Sequence, residues 1–148
     1  MPDLSVSRSV EAPIDVVWTI FTDLAQSAER LSAVNAVEVL TPGDFGLGTR
    51  WRETRTMFGR EATEEMEVTA IVPGRSYTTG ADSHGSHYMS RFDFAPAATG
   101  TDVTFTFQAE SHGVMRLVGS LMWPMLKGKM VKELRRDLDE LAEYCEQA

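Results

Sequence analysis

The sequence has a single cysteine, Cys145, and no long hydrophobic run. One cysteine excludes an internal disulfide framework. The most apolar stretch, residues 121–126, is far shorter than the roughly 20 residues that a membrane-spanning helix needs. The first five residues carry no basic region leading into an apolar run, so no signal peptide is predicted. These absences favour a reducing, cytoplasmic location without membrane insertion.

Basic side chains are also scarce, with 14 Lys and Arg against 22 Asp and Glu and a net charge of −8. This balance argues against nucleic acid or an anionic membrane as a partner, since both require a basic face. A length of 148 residues with 43% hydrophobic composition fits one globular domain spanning 1–148. A chain of this size buries about 70% of its unfolded surface, so neither a disulfide nor a metal is needed to hold it together.

Most of the chain has the two-residue alternation of β-strands, broken by short turns. Roughly seven predicted strands lie in a row with short links, which is typical of an antiparallel meander. The bend at Phe58-Gly59 indicates a hairpin. The predicted strands cover residues 4–10, 34–40, 49–57, 60–72, 75–81, 84–94 and 102–109, with a loop at 95–101.

Helical spacing is found in two places. Val17, Trp18, Phe21 and Leu24 predict a short amphipathic helix over residues 13–24, and a second short helix is expected around 25–31. A long C-terminal helix is predicted from an apolar stripe at spacings of three to five, with charged residues such as Asp137 elsewhere around it. Pro124 is expected to kink this helix or to separate a lead-in segment from it. The stripe consists of Met115, Val118, Met122, Met125, Met130, Leu134, Leu138, Leu141 and Cys145.

Five short motifs lie along these elements: Val10-Glu11-Ala12-Pro13, Val17-Trp18 with Asp23, Gly46-Leu47-Gly48-Thr49, Val72-Pro73-Gly74-Arg75 and Leu138-Asp139-Glu140-Leu141. With these motifs, the order of the elements resembles the START-like or Bet v 1-like (SRPBCC) helix-grip superfamily, and within it the bacterial polyketide cyclase/dehydrase and lipid-transport group. Many relatives carry a tryptophan shortly after the aspartate, where this chain has residues 27–31 without one. The resemblance implies an α+β fold in which a curved sheet of about seven antiparallel strands grips the C-terminal helix.

A sheet that grips one helix leaves a space between them, and strand parity predicts which side chains face it. Alternation places charged and polar side chains on the same faces as aromatic ones, although a β-bulge would exchange the faces. In the strand 60–72, for example, Met66, Val68 and Ala70 are expected to point inwards. Methionine on the helix stripe suits a surface that adapts to ligands, or simply fills a core. The predicted pocket is lined by Trp51, Glu53, Arg55, Met66, Val68, His84, Tyr88, Ser90, Phe92, Phe105, Phe107, Met115, Val118, Met122, Met125 and Met130.

Weaker signals point to acid–base chemistry. His84 is a candidate general base, with Tyr88 and either Glu53 or Glu64 orienting groups or donating protons. Alternatively, the charged side chains lie at an exposed rim of the sheet. His84 and His87 are three residues apart and face opposite sides of a strand, so no metal site is predicted, and no cofactor is expected. Cys145 is interpreted as packing rather than as a nucleophile.

The leading hypothesis is a carrier or sensor of a small hydrophobic ligand such as a lipid or polyketide. A polyketide cyclase/dehydratase-type enzyme is the first alternative. The second is a protein-interaction domain like the co-chaperone branch of the superfamily, which would require an apolar patch outside the sheet. The outward positions Glu65, Glu67, Thr104, Thr106 and Gln108 are polar and give that reading little support. An exposed edge strand leaves both a monomer and a homodimer open.

Overall fold

A computed structural model describes residues 3–83, 85–111 and 114–148; for residues 3, 83, 111 and 114–123 it describes the backbone alone. Its centre is a seven-stranded antiparallel sheet. The strands are β1 (Asp3–Val10), β2 (Val34–Val39), β3 (Arg50–Met57), β4 (Arg60–Val72), β5 (Ser76–Ser83), β6 (Ser86–Ala97) and β7 (Gly100–Ser111). They lie in the order β1-β7-β6-β5-β4-β3-β2, so β2 to β7 form a meander and β1 joins it beside β7.

The described residues also form three helices: α1 (Ile14–Phe21), α2 (Ser27–Arg30) and α3 (Val114–Gln147), with a short 3₁₀ turn at Leu24–Gln26. Pro13 stands immediately before α1, where a residue without an N–H removes no helical hydrogen bond. α3 contacts β1, β7, α1 and α2. The predicted α+β helix-grip architecture, with a curved sheet around a long C-terminal helix, is therefore confirmed. No described helix is both long enough and apolar enough to cross a bilayer.

The core forms where α1 and the C-terminal half of α3 meet the sheet. Val17 of α1, Leu138 of α3 and Val103 of β7 are completely buried. Burying one such side chain contributes about 2 kcal/mol. Cys145 is buried in the same cluster, as expected for a packing residue, and burial raises the pKa of its thiol to about 11. A thiol in that state is protonated at neutral pH and is a poor nucleophile.

Two sequence predictions about the strands need correction. A bulge between Val68 and Ala70 adds one residue to β4, so Ala70 is exposed and Ile71 packs on the core instead. The loop predicted at 95–101 is only a tight turn, because β6 and β7 stay paired as far as Ala97 and Gly100. Of the two outcomes expected at Pro124, separation of a lead-in segment does not occur, because α3 is continuous through this residue.

Candidate functional site

The inner face of the sheet is closed at one end and accessible towards the other. On β4, Val68 is fully buried, while Met66 and Glu64 are half-buried. On β6, Phe94 is buried and the next inward residues, Phe92, Ser90 and Tyr88, are half-buried. Phe107 on β7 is half-buried as well. Side chains that face the gripped helix thus retain accessible surface, as the walls of a binding site do.

Aromatic rings form one wall of this region. The ring centroids of Phe92 and Phe105 are 4.2 Å apart, and those of Tyr77 and Phe92 are 5.0 Å apart in a stacked arrangement. Further along the same face, Tyr88 stacks on Phe107 at 5.9 Å. Each of these rings offers a large apolar surface of fixed shape, which suits contact with a rigid or aromatic ligand.

A cluster of three charged side chains joins the sheet to α3. The Arg55 guanidinium donates from Nη1 to Oδ2 of Asp137 at 2.9 Å and from Nε to Oε2 of Glu53 at 3.1 Å. The side chains of Arg55, Glu53 and Asp137 are 19%, 15% and 8% exposed. Glu53 and Arg55 were predicted to share an inward face. The alternative, that they lie at an exposed rim of the sheet, does not agree with these low exposures.

Sequence reasoning missed Asp137 and placed it among the charged surface residues of the helix. It lies on the buried side of α3, between Leu134 and Leu141, and the residue is 6% exposed. Its spacing of three and four residues from these two leucines was the available signal. A carboxylate within an apolar helix stripe is costly unless it is paired, so its position indicates an inward partner.

Burial sets the proton affinities of this cluster. Desolvation raises the pKa of Asp137, and the adjacent Arg55 guanidinium only partly offsets this effect. For Arg55, burial alone would lower the pKa, but the carboxylates of Asp137 and Glu53 outweigh it and raise the pKa. Burial and the nearby Glu53 both raise the pKa of Tyr77, which therefore stays protonated. The cluster thus contains a cation that is always charged and an acid able to hold a proton above its usual range.

Two buried polar atoms in this part of the molecule have no hydrogen-bond partner among the described residues. They are Oδ1 of Asp137 and Nε1 of Trp51, whose side chains are both largely buried. Leaving such an atom unpaired costs about 1–3 kcal/mol. Each atom therefore has an unused hydrogen-bonding position inside the molecule.

The raised pKa of Asp137 predicts a definite pH dependence of stability. The native carboxyl keeps its proton to higher pH than the unfolded one, so its contribution is present at low pH and is lost as pH rises from about 4 through the native pKa. We expect the advantage of the wild type over Asp137→Asn in free energy of unfolding to shrink between pH 4 and pH 7. Urea titrations of both proteins at each pH measure it; a difference independent of pH would contradict the assignment.

The structure separates the other predicted site residues into groups. Glu64 lies opposite Glu53 in the β3–β4 register and is half-buried, whereas Trp51 and Val68 are buried. Met130 packs against the core, but Met125 is 72% exposed, so the predicted buried stripe is wrong at that position. Four predicted residues lie outside the described side chains: His84, Met115, Val118 and Met122.

Two open grooves lie elsewhere, along α1. One, of about 280 Å³, is lined by Asp15, Val16, Thr19 and Ile20. The other, of about 330 Å³, lies between Trp18 and the turn at Pro73-Gly74-Arg75. Neither includes a residue of the charged cluster, so neither is the predicted site. Among the described residues, no group of three His, Cys, Asp or Glu side chains is arranged to hold a metal ion.

Comparison with solved structures shows the same fold in several proteins. A START superfamily protein from Mycobacterium smegmatis has a TM-score of 0.79 at 16% identity, with 98% of this chain and 97% of that chain covered. The Zhui aromatase/cyclase from Streptomyces sp. R1128 has a TM-score of 0.78 at 17% identity, covering 99% and 94%. A protein from Thermus thermophilus is 23% identical, with a TM-score of 0.77 and coverage of 96% and 95%.

A search of the curated proteins found no significant match. The family model described as "Polyketide cyclase / dehydrase and lipid transport" matches residues 1–146, almost the entire chain. This match predicts a meander sheet that grips a long helix, with an inward face between them. The chain belongs to the polyketide cyclase/dehydrase and lipid transport family.

Proposed function

We propose that the protein binds a small, mainly hydrophobic molecule between the sheet and α3, as a carrier or sensor. The observation that carries this proposal is that the Glu53–Arg55–Asp137 cluster and a half-buried aromatic wall lie on the same inner face of the sheet. Fold stability alone gives little reason to keep three charges in this position, since a well-packed apolar set of similar volume is often as stable. Binding does give a reason, because a few fixed polar groups orient a ligand that apolar walls hold.

The lining of the site follows from the faces of the strands. Tyr88, Ser90, Phe92 and Phe107 supply the apolar and aromatic contacts, and Met66 supplies a flexible side chain opposite Trp51. The charged cluster supplies the polar end, where Oδ1 of Asp137 is free to accept a hydrogen bond from the ligand. A lipid or polyketide with one polar end fits this combination.

A second candidate function is cyclase or dehydratase chemistry on such a molecule. It is favoured by one observation, the buried Asp137 carboxyl whose pKa is raised while it remains bonded to Arg55. Such an acid keeps its proton above the usual range of a carboxyl and can donate it, and the guanidinium can stabilise negative charge that develops on a carbonyl oxygen. Tyr88, Glu53, Glu64 and His84 remain further candidates for proton transfer. A relative with an aromatase/cyclase name supports the same idea by fold alone.

The test compares two substitutions on neighbouring residues of β6. Ser90→Trp fills the inner face with an indole, whereas Met89→Trp places the same indole on the outer face. Native mass spectrometry of the wild type, after incubation with lipids, sterols and aromatic polyketides, is expected to show a bound mass of a few hundred daltons. We expect Met89→Trp to keep this adduct and Ser90→Trp to lose at least 90% of it (a tenfold or greater loss of affinity, about 1.4 kcal/mol).

The outcomes separate the candidate functions. A ligand extracted unchanged supports the carrier, and one that is converted to a cyclised or dehydrated product supports the enzyme. Thermal unfolding of both variants checks that each one folds. If no compound binds, or if both variants bind equally well, the proposal is wrong.

A further inference from the structure

The lysines of this protein are confined to one short segment. All three lie in one six-residue stretch of α3, at Lys127, Lys129 and Lys132, and Arg135 follows about one turn later. Every other basic residue in the chain is an arginine. The protein has a net charge of −8, so this segment is a local region of positive charge that composition alone does not reveal.

These four cations are exposed and have no carboxylate partner among the described residues. Several arginines elsewhere on the surface are paired, although Arg60 and Arg75 are not. Arg50 pairs with Glu67 at 3.0 Å, Arg52 pairs with Glu38 at 2.7 Å, and Arg91 pairs with Asp93 at 2.9 Å. Carboxylates are abundant in this chain, so the unpaired state of the segment leaves its positive charge available to an external partner.

The segment also presents an apolar side chain. Met125, Lys129 and Lys132 are spaced by four and three residues, which places them on one face of α3. Met125 is 72% exposed at the N-terminal end of this row. Towards the C-terminus the charge changes again: beyond the buried Asp137, residues 138–146 hold four acidic and no basic residues, although Arg8 of β1 pairs with Asp139 and Glu146. The outward side of the helix therefore runs from an apolar residue through a basic section to an acidic one.

We propose that residues 125–135 dock the protein on the surface of an anionic lipid bilayer, without crossing it. Lysine is depleted in protein–protein interfaces, which favour arginine and aromatic residues, whereas lysine beside exposed apolar side chains is typical of helices that lie in a membrane interface. Cations near an anionic leaflet are attracted within a Debye length, so a local patch acts even on an acidic protein. The acidic section that follows is repelled and fixes which end of α3 faces the lipid.

Sedimentation with vesicles tests this docking. The full-length protein is expected to bind vesicles of phosphatidylcholine mixed with phosphatidylglycerol at low salt, and to be released from them at high salt. Vesicles of phosphatidylcholine alone should bind it much more weakly. The double variant Lys129→Gln/Lys132→Gln should lower the partition coefficient about 25-fold, since each cation at an anionic surface is worth about fivefold.

A matched control separates the patch from overall charge. Arg60→Gln/Arg75→Gln removes two exposed cations that also have no ion-pair partner among the described residues, and it should change binding less than twofold. Equal losses in the two double variants, equal binding to both kinds of vesicle, or no binding at low salt would overturn the proposal. Lysine-dependent retention on immobilised polyglutamate without vesicle binding would overturn it in favour of an acidic protein partner. The assay needs no internal ligand, so its result is independent of the function proposed above.

Discussion

Replacing Arg55 with methionine is expected to lower the free energy of unfolding by about 3 kcal/mol, which is the usual cost of removing one partner of a buried ion pair. Methionine keeps most of the side-chain volume but leaves the carboxylates of Glu53 and Asp137 without a cation. Desolvation already raises the pKa of Asp137, so the loss of its partner makes the ionised form more costly still. Chemical denaturation at pH 7 measures the change.

Two comparisons make that result specific. Arg52→Met removes an arginine from the outer face of the same strand, where the pair with Glu38 is about half exposed. Such a surface pair is worth at most about 1 kcal/mol. In the double variant Arg55→Met/Asp137→Leu the unpaired acid on α3 is also removed, and we expect much of the stability to return. If Arg55→Met lowered the free energy of unfolding no more than Arg52→Met does, the cluster would contribute no more to stability than an exposed ion pair.

The other large effect is expected at the turn between β6 and β7. A Cβ atom on Gly100 would lie 2.1 Å from the carbonyl oxygen of Val10 and 2.9 Å from the amide nitrogen of Ala12. Both contacts are with backbone, which has no rotamer to change. Here the chain leaves β1 for α1 and passes directly over the turn, where Thr101 Oγ1 donates to the Ala12 carbonyl oxygen at 2.9 Å.

Gly100→Ala is therefore expected to cost about 3 kcal/mol or more, within the range of severe overpacking. Gly46→Ala is the matched control, because the nearest atom to its added Cβ would be 4.0 Å away. That substitution should change stability by about 1 kcal/mol or less. Thermal and urea unfolding of both variants compare them, and equal midpoints would show that β1 can move away from the turn.

Local patterns in the sequence were sufficient for the order of the elements. Alternation along β6 and β7 predicted the inward positions of Phe92, Phe105 and Phe107, because a strand exposes successive side chains to opposite faces whatever its neighbours are. The same rule failed at Ala70, where the bulge in β4 shifted the alternation by one residue. No residue type at that point marks the bulge, since it depends on how β4 pairs with β5.

The role of Gly100 could not be predicted from the sequence either. The segment 95–101 contains the residues of an ordinary loop, and glycine is common in loops for many reasons. Only the approach of Val10 and Ala12, about 90 residues away in sequence, makes a side chain impossible there.

By itself the sequence determined that this chain forms a meander of strands followed by one long amphipathic helix, and it placed Glu53 and Arg55 on one inward face. The tertiary structure alone decided that Asp137 completes the cluster, since 82 positions separate Arg55 from Asp137. It also decided that Met125 and the lysines face outwards. A helical pattern in the sequence gives only the relative angles of side chains around the helix axis, not the side that faces the solvent. Periodicity is a property of each segment, whereas the rotation of α3 against the sheet is fixed by packing between segments that are distant in the chain.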